Sequence, residues 1–130
     1  NTAFRLIMQG LPFIAMARNR YFREEDGLSL DMGAFVAGLE YSTGTTAEIT
    51  GKPAAPFFQA ALDAVGVAAC DAIMVGDDLR DDIGGAQAAG IPGVLVRTGK
   101  YAPADEHHPD IRPAAIADDF ATSASRYLPL

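Results

Sequence analysis

Short apolar groups, separated by turn-forming residues, run through the first third of the chain. The cluster at residues 4–8 predicts a short helix, and the apolar run Leu11–Met16 predicts a buried strand. A basic and aromatic stretch at residues 18–23 follows, which we predict to be a loop. Asp31 is suited to cap a helix over residues 33–41. These elements are short and do not by themselves specify a fold class.

From residue 46 onward, strand-like and helix-like segments alternate. The strands are short and almost wholly apolar, as parallel strands buried on both faces are. In order, the predicted segments are a strand at 47–50, a helix at 56–65, a strand at 72–75, a helix at 83–89 and a strand at 93–96. This β-α-β-α-β order predicts a doubly wound parallel, Rossmann-like α/β sheet. A loop over residues 102–119 and a short helix at 121–127 complete the prediction.

The helix at 56–65 also predicts part of the core. Apolar residues recur along it at helical spacing, so that one face should be buried against the sheet. That face consists of Phe57, Phe58, Ala61, Leu62 and Val65.

Composition excludes several classes of function. The 130 residues, 49% of them apolar, suit one ordinary folded domain. The net charge of −7, with only two lysines, argues against a surface for nucleic acid or for an anionic membrane. No apolar run approaches the roughly 20 residues of a membrane span, and the single cysteine, Cys70, excludes a disulfide framework and a cysteine-based zinc site. We therefore expect a cytoplasmic protein.

Four aspartates follow directly on the predicted strand at 72–75. They are Asp77, Asp78, Asp81 and Asp82. In open parallel sheets, ligands bind outside the carboxyl ends of the strands, and Mg²⁺ would relieve the repulsion between carboxylates this close together. The alternative is that these residues are helix caps and solvated turn residues, stabilised by the helix dipole. The acidic cluster alone leaves both interpretations open.

Lys52 adds a positive charge to the same region. It lies between Gly51 and Pro53, and a following proline favours extended backbone, which gives the lysine side chain a defined direction. In a doubly wound sheet, this strand end and the aspartates face the same crevice. A lysine there could pair with an aspartate or neutralise a phosphoryl oxygen. The alternative is a solvated surface lysine ahead of a helix.

Together these residues resemble a known family. The segments 51–53 (Gly-Lys-Pro) and 73–83 look like motifs III and IV of the haloacid dehalogenase superfamily of phosphotransferases. Residues 94–101 resemble the last core strand of that family. More narrowly, residues 39–53 and the tail at 104–109 are similar to the subfamily of phospholysine phosphohistidine inorganic pyrophosphate phosphatase-like proteins. The resemblance covers essentially the whole chain.

The resemblance implies a Mg²⁺-dependent phosphatase and a role for each motif residue. Lys52 would hold the nucleophile and the transferring phosphoryl oxygens by charge, and Asp82 would orient Lys52 or the metal-bound waters, so that both are catalytic. Asp77 would ligate Mg²⁺, with Asp78 as a second or water-mediated ligand. The substrate would be a small phosphorylated compound or pyrophosphate, hydrolysed through an aspartyl-phosphate.

The chain departs from this family at the nucleophile, which belongs to an Asp-x-Asp motif. No Asp-x-Asp occurs in the 130 residues, and the chain starts without Met in what has the pattern of the middle of a helix. We therefore expect a fragment, inactive alone, with residues 1–30 as the end of a cap domain and residues 31–130 as the C-terminal part of the core. The strand at 72–75 would then expose an apolar edge through which a homodimer could form.

Three polar residues of the basic stretch are candidates for substrate binding. Arg18, Asn19 and Arg20 lie where the family places substrate-selecting residues, and they could hold a second phosphate or an anionic leaving group. The alternative is a solvated surface loop. Two other function classes also stay open, a non-catalytic binding or dimerisation module and a receiver-type phosphoacceptor domain. The receiver fold is disfavoured because its lysine follows its acidic pair along the chain, whereas Lys52 precedes the aspartates.

Overall fold

A computed structural model describes residues 1–127 of the chain. The chain divides into two compact units, and the boundary falls between Gly51 and Lys52. The two units are described separately. Both contain parallel strands and helices, so the predicted α/β fold class is confirmed.

The first unit is built from two helices and two small sheets. One sheet is a parallel pair and the other is an antiparallel hairpin. In chain order the elements are α1 (Thr2–Met8), β1 (Ile14–Ala15), β2 (Tyr21–Glu24), β3 (Gly27–Leu30), α2 (Met32–Thr43) and β4 (Glu48–Ile49). Strand β1 pairs with β4, and β2 pairs with β3. Ala15, Val36 and Ala47 form the small buried core of this unit.

The sequence prediction for this unit holds for the helices and fails for the basic stretch. Asp31 caps α2 as expected, because its carboxylate accepts the Met32 N–H at 2.6 Å. Residues 21–23, however, are not loop but part of β2, whose Tyr21 lies opposite Leu30 of β3. Aromatic residues favour strands, and the turn after Glu24 brings the two halves of the hairpin together. Only residues 18–20 keep the predicted loop conformation.

The second unit is a three-stranded parallel sheet with helices. In chain order its main elements are α3 (Ala55–Val65), β5 (Met74–Gly76), a π-helical turn (Leu79–Gly84), α4 (Gly85–Ala88), β6 (Gly93–Val96), β7 (Ala115–Ala117) and α5 (Phe120–Tyr127). Short 3-10 turns lie at Ala69–Asp71 and Pro103–His107. The strand order is β5-β6-β7, and all three strands run parallel. Strand β6 is central and every one of its residues is buried.

Two elements of this unit differ from the prediction. Strand β7 lies inside the stretch 102–119, which we predicted to be loop. The prediction failed because a strand of three residues, close to Pro113 and Asp118, is too short to show an alternating pattern of apolar and polar residues. The helix predicted at 83–89 begins earlier, at Leu79, because the side chain of Asp78 accepts hydrogen bonds from the first backbone N–H groups of the turn. Asp81 and Asp82 therefore lie in the first helical turn, with Asp78 as its cap, and Asp77 precedes the turn.

Helix α3 shows how closely the apolar stripe specifies the core. Phe58 and Leu62 are buried and pack with Ala86 and Ile91 in one cluster. Phe57 and Val65, predicted for the same face, are 39% and 68% exposed. The buried face is thus narrower than the sequence stripe.

Strand β5 forms one edge of the three-stranded sheet. Its residues are only partly buried, and Ile73, just before it, is 44% exposed. We predicted this strand to be buried on both faces, and the partial burial of its three residues contradicts that. It has one strand neighbour among the described residues, which is the edge position that we predicted for a fragment. Among residues 1–127, none of the helices combines the length and the apolar character that crossing a membrane would require.

Ser123 in α5 gives a first testable prediction. Its side chain is 1% exposed, and its Oγ has no hydrogen-bond partner within the described residues. A buried hydroxyl without a partner costs free energy, so Ser123→Ala should leave the free energy of unfolding unchanged or raise it by about 1 kcal/mol. Thermal unfolding measures this. Ser125→Ala is the matched control, because the exposed Ser125 Oγ donates to the Ala121 carbonyl at 3.0 Å. A larger loss of stability for Ser123→Ala than for Ser125→Ala would contradict the prediction.

Candidate active site

The acidic segment, residues 77–82, begins directly after β5 and is shaped by its own side chains. Asp78 caps the π-helical turn, since its Oδ1 accepts the N–H groups of Arg80 at 3.0 Å and Asp81 at 2.9 Å. Asp82 closes the segment from the other end, because its Oδ2 accepts the Asp78 N–H at 3.2 Å. The carboxylates of Asp78 and Asp82 are thereby fixed at the carboxyl end of a parallel strand, where open α/β sheets bind ligands.

Lys52 and Asp82, both predicted to be catalytic, form an ion pair. Lys52 Nζ lies 2.6 Å from Asp82 Oδ1, and the two side chains are 37% and 5% exposed. Asp82 is therefore a buried carboxylate whose charge is balanced by Lys52 and by the Asp78 N–H. The lysine side chain is partly exposed, and an ammonium group has three donors, so it can contact a bound anion while it stays paired with Asp82.

Asp77, a predicted metal ligand, contacts a turn that follows β6. Its Oδ2 accepts the backbone N–H of Lys100 at 2.6 Å. Within the described residues its Oδ1 accepts no hydrogen bond. Strands β5 and β6 are parallel neighbours, with Gly76 opposite Leu95, so the segments that follow them lie side by side at the carboxyl ends of the strands. Asp77 thus keeps one fixed oxygen and one oxygen available to a ligand.

Asp78, the other predicted metal ligand, has partners on both oxygens. Oδ1 caps the π-helical turn, and Oδ2 lies 3.0 Å from Lys100 Nζ in an ion pair whose side chains are 20% and 22% exposed. Burial raises the pKa of Asp78, but the hydrogen bonds from Asp81 N–H and Lys100 outweigh it, so that the pKa lies below its ordinary value. The carboxylate is charged and already engaged with protein donors.

Asp81 has the opposite electrostatic surroundings. Burial and the nearby negative charge of Asp78 raise its pKa above the ordinary value. The four aspartates share two lysines, so the segment carries a net negative charge. Such a site attracts a cation, although within residues 1–127 no group of three or more His, Cys, Asp or Glu side chains is arranged to hold a metal ion.

The three predicted substrate-binding residues lie in the first unit. Arg18 and Arg20 line an open groove of about 620 Å³ together with Tyr21, Leu28 and Leu30. Arg18 is paired with Glu40 at 2.6 Å, which neutralises part of its charge. Asn19 is not among the residues of the groove; its backbone carbonyl accepts the Gly33 N–H at 2.9 Å. The structure therefore brings the two arginines together in the groove. Asn19 instead accepts a backbone hydrogen bond.

Sequence analysis missed Lys100. It lies only four residues after a predicted strand, and it contacts Asp77 through its backbone and Asp78 through its side chain. A signal was present, since lysine occurs only twice in the sequence and both lysines follow strands. The pairing itself needs the adjacency of β5 and β6, which the local pattern around Lys100 does not specify.

The chain is similar to a family of hydrolases and to several proteins named as phosphatases. Residues 49–123 match the family model described as HAD-hydrolase-like. The phospholysine phosphohistidine inorganic pyrophosphate phosphatase of Rattus norvegicus is 44% identical over 130 residues, which cover 98% of this chain and 48% of that protein. The chain spans about half the length of the curated relatives it matches.

Solved structures show the same fold. The p-nitrophenyl phosphatase of Archaeoglobus fulgidus superposes with a TM-score of 0.85 at 27% identity, over 95% of this chain and 49% of that one. The glycerol phosphate phosphatase of Mycobacterium tuberculosis, in complex with magnesium, superposes with a TM-score of 0.79 at 33% identity, over 92% of this chain and 36% of that one. A second crystal structure of that enzyme contains calcium.

Proposed function

Because the chain belongs to the HAD-hydrolase-like family, we propose that the protein carrying it is a Mg²⁺-dependent phosphatase for a small phosphorylated compound or pyrophosphate. The observation that carries the proposal is the Lys52–Asp82 ion pair, held at the edge of the sheet where Asp77 offers an open oxygen. A buried carboxylate that orients a partly exposed lysine is an arrangement suited to binding a phosphoryl group by charge. The names of the relatives support this substrate class, because they include a pyrophosphate phosphatase and a p-nitrophenyl phosphatase.

In this proposal each motif residue has one task. The Lys52 ammonium donates hydrogen bonds to a phosphoryl oxygen, and Asp82 holds that ammonium at its position. Asp77 uses Oδ1 for the cation. Asp78 contributes through water at most, because both of its oxygens already accept hydrogen bonds from the protein.

A hard divalent cation fits the donor set of the acidic segment. Mg²⁺ favours one or two carboxylates and completes its shell with waters and substrate phosphate oxygens, and Asp77 supplies one such carboxylate. When bound, the ion would neutralise charge on the phosphoryl group. The magnesium and calcium in the structures of the Mycobacterium tuberculosis phosphatase support a divalent cation for this family. We propose Mg²⁺ because the site offers few protein oxygens, whereas Ca²⁺ takes six to eight oxygen ligands in most sites.

The nucleophile in this proposal is an aspartate outside the present chain. It would attack phosphorus, form an aspartyl-phosphate and release the leaving group, and water would then hydrolyse the acyl phosphate. The absence of an Asp-x-Asp motif from the 130 residues, and the half coverage of the relatives, support this division. The 130 residues alone would then be inactive. Residues 1–30 would belong to a cap domain and 31–130 to the catalytic core.

The remaining properties follow from charge and exposure. Arg18 and Arg20, in the groove of the first unit, would attract an anionic part of the substrate. The net charge of −7 supports a protein that binds neither nucleic acid nor a membrane surface, and we propose a cytoplasmic location. The exposed edge at β5 would allow a homodimer.

Hydrolysis by the native full-length protein tests the proposed function. We expect release of phosphate from pyrophosphate or p-nitrophenyl phosphate in the presence of Mg²⁺, and a loss of at least about 100-fold on removal of the metal with EDTA. Restoring Mg²⁺ should recover the activity, which controls for damage by the chelator. A folded, Mg²⁺-loaded protein that hydrolyses neither compound nor a panel of small phosphate esters would contradict the proposal and favour a non-catalytic binding module.

A further inference from the structure

The turn at residues 98–101, which follows β6, reaches two consecutive aspartates with two different donors. The backbone N–H of Lys100 donates to Asp77 Oδ2 at 2.6 Å, and its Nζ lies 3.0 Å from Asp78 Oδ2. The turn is itself closed by a hydrogen bond from the Tyr101 N–H to the Thr98 carbonyl at 2.9 Å. One residue therefore connects the segment after β6 to the start of the acidic segment after β5.

Gly99 allows the backbone of this turn to approach the Asp77 carboxylate. It has a φ of +49°, in the region that favours glycine. A Cβ on residue 99 would lie 2.8 Å from Asp77 Cγ and closer still to Oδ2. The carboxylate of Asp77 thus packs directly against the main chain of the turn. A shift of the turn would therefore also shift the carboxylate.

We infer that Lys100 is a positioning residue for cation binding. The Lys100 Nζ holds the 98–101 turn against Asp78, and the Lys100 N–H then fixes Oδ2 of Asp77. Oδ1 of Asp77 is thereby left available to the ion. The inference rests on the proposed function, in which Asp77 binds the cation. It assigns Asp78 to the same task, as the anchor of the turn and not as a direct ligand. Partners that orient a metal ligand commonly change affinity by about 10- to 100-fold when removed.

The sign of the effect separates positioning from simple electrostatics. Removing a positive charge close to a cation site should tighten cation binding if charge alone matters, because like charges repel. Loss of an orienting contact should weaken it. Lys100→Met keeps the backbone N–H that Asp77 accepts and most of the side-chain volume, so it removes the ammonium group and with it the Nζ contact with Asp78.

The experiment measures Mn²⁺ binding by electron paramagnetic resonance, with Mg²⁺ competition, on the native full-length protein without substrate. We expect Lys100→Met to weaken Mn²⁺ binding about 10-fold and Lys100→Arg to recover much of that loss. Arg80→Met is the matched control: it removes the same charge from the acidic segment, but the exposed Arg80 side chain has no ion pair among residues 1–127. Its affinity should be unchanged or slightly tighter. Unchanged or tighter binding in Lys100→Met would overturn the inference.

A second route tests the same contact if Lys100→Met folds poorly. Asp78→Asn breaks the ion pair from the other side and keeps an amide oxygen that can cap the π-helical turn. We expect a similar loss of affinity, and no further loss when Lys100→Met is added. Fully additive losses would overturn the inference. Asp77→Asn separates the proposed function from the positioning role of Lys100. Unchanged metal binding in Asp77→Asn would refute the proposed role of Asp77 as a ligand. Lost binding in Asp77→Asn, with normal binding in the Lys100 variants, would refute only the positioning role.

Discussion

Replacing Lys52 with methionine should lower the turnover number of the full-length protein, in its proposed phosphatase reaction, by about 10²- to 10³-fold. The ammonium group is the positive charge held at 2.6 Å from the buried Asp82, and methionine keeps most of the length of the side chain without that charge. If Lys52 stabilises charge that develops on the phosphoryl group, the loss should fall mainly on kcat and less on KM. Steady-state hydrolysis of p-nitrophenyl phosphate with saturating Mg²⁺ measures both.

Two companion variants make this prediction specific. Arg112→Met removes an exposed cation of the same unit and should leave kcat within about twofold. Lys52→Arg keeps the charge, but a planar guanidinium does not reproduce the point contact with Asp82, so a large part of the loss should persist. Thermal unfolding of each variant separates lost chemistry from lost fold, since removing Lys52 also leaves the Asp82 carboxylate with one partner fewer. A Lys52→Met protein with more than a tenth of normal turnover would contradict the assigned role.

Replacing Gly76 with alanine should destabilise the protein by about 2–3 kcal/mol and also remove most of the activity. A Cβ on residue 76 would lie 2.5 Å from both Cβ and Cγ of Asp82 and closer still to Oδ2. Asp82 is buried and fixed by Lys52, so it cannot move aside without breaking the ion pair. Denaturant unfolding and kcat should therefore both report the change.

Gly38→Ala is the matched control for Gly76→Ala. Gly38 lies inside α2, and a Cβ there would meet nothing within 4 Å. Because alanine favours helices more than glycine does, Gly38→Ala should be neutral or stabilise by up to about 1 kcal/mol. Equal changes in the free energy of unfolding for the two substitutions would contradict the prediction, because they would show that residue 76 has room for a Cβ beside Asp82.

The two glycines of the site illustrate what the local sequence specifies and what it does not. The φ of Gly76 is not positive, and the need for glycine there comes from the Asp82 side chain that packs against it. Gly99 does have a positive φ, but its importance lies in the contact with Asp77, 22 residues earlier. Both constraints are tertiary, so a pattern of neighbouring residues identifies the glycines without giving the reason for them.

The elements show the same division between local and long-range information. Capping by Asp31, the glycine end of α3 at Gly66 and the wholly buried β6 were all predictable, because each depends on residues within one segment. Strand β7 and the hairpin strand β2 were not, since their conformation depends on pairing with β6 and with β3. The Lys52–Asp82 pair was predictable as a region of opposite charge. The choice of Asp82 among the four aspartates came from the family resemblance and not from the charge pattern, and the π-helical turn that positions Asp82 was not indicated by the sequence.

The distribution of lysine gives this chain an unusual chemical selectivity. Its two lysines, Lys52 and Lys100, both contact carboxylates of the acidic segment, while its other side-chain cations are arginines. Reductive methylation with ¹³C-formaldehyde would therefore label, within these 130 residues, two lysine side chains that both lie at the candidate site. Each methyl resonance would report the protonation and the ligand contacts of its own aspartate, and no lysine elsewhere in the chain would obscure the signal.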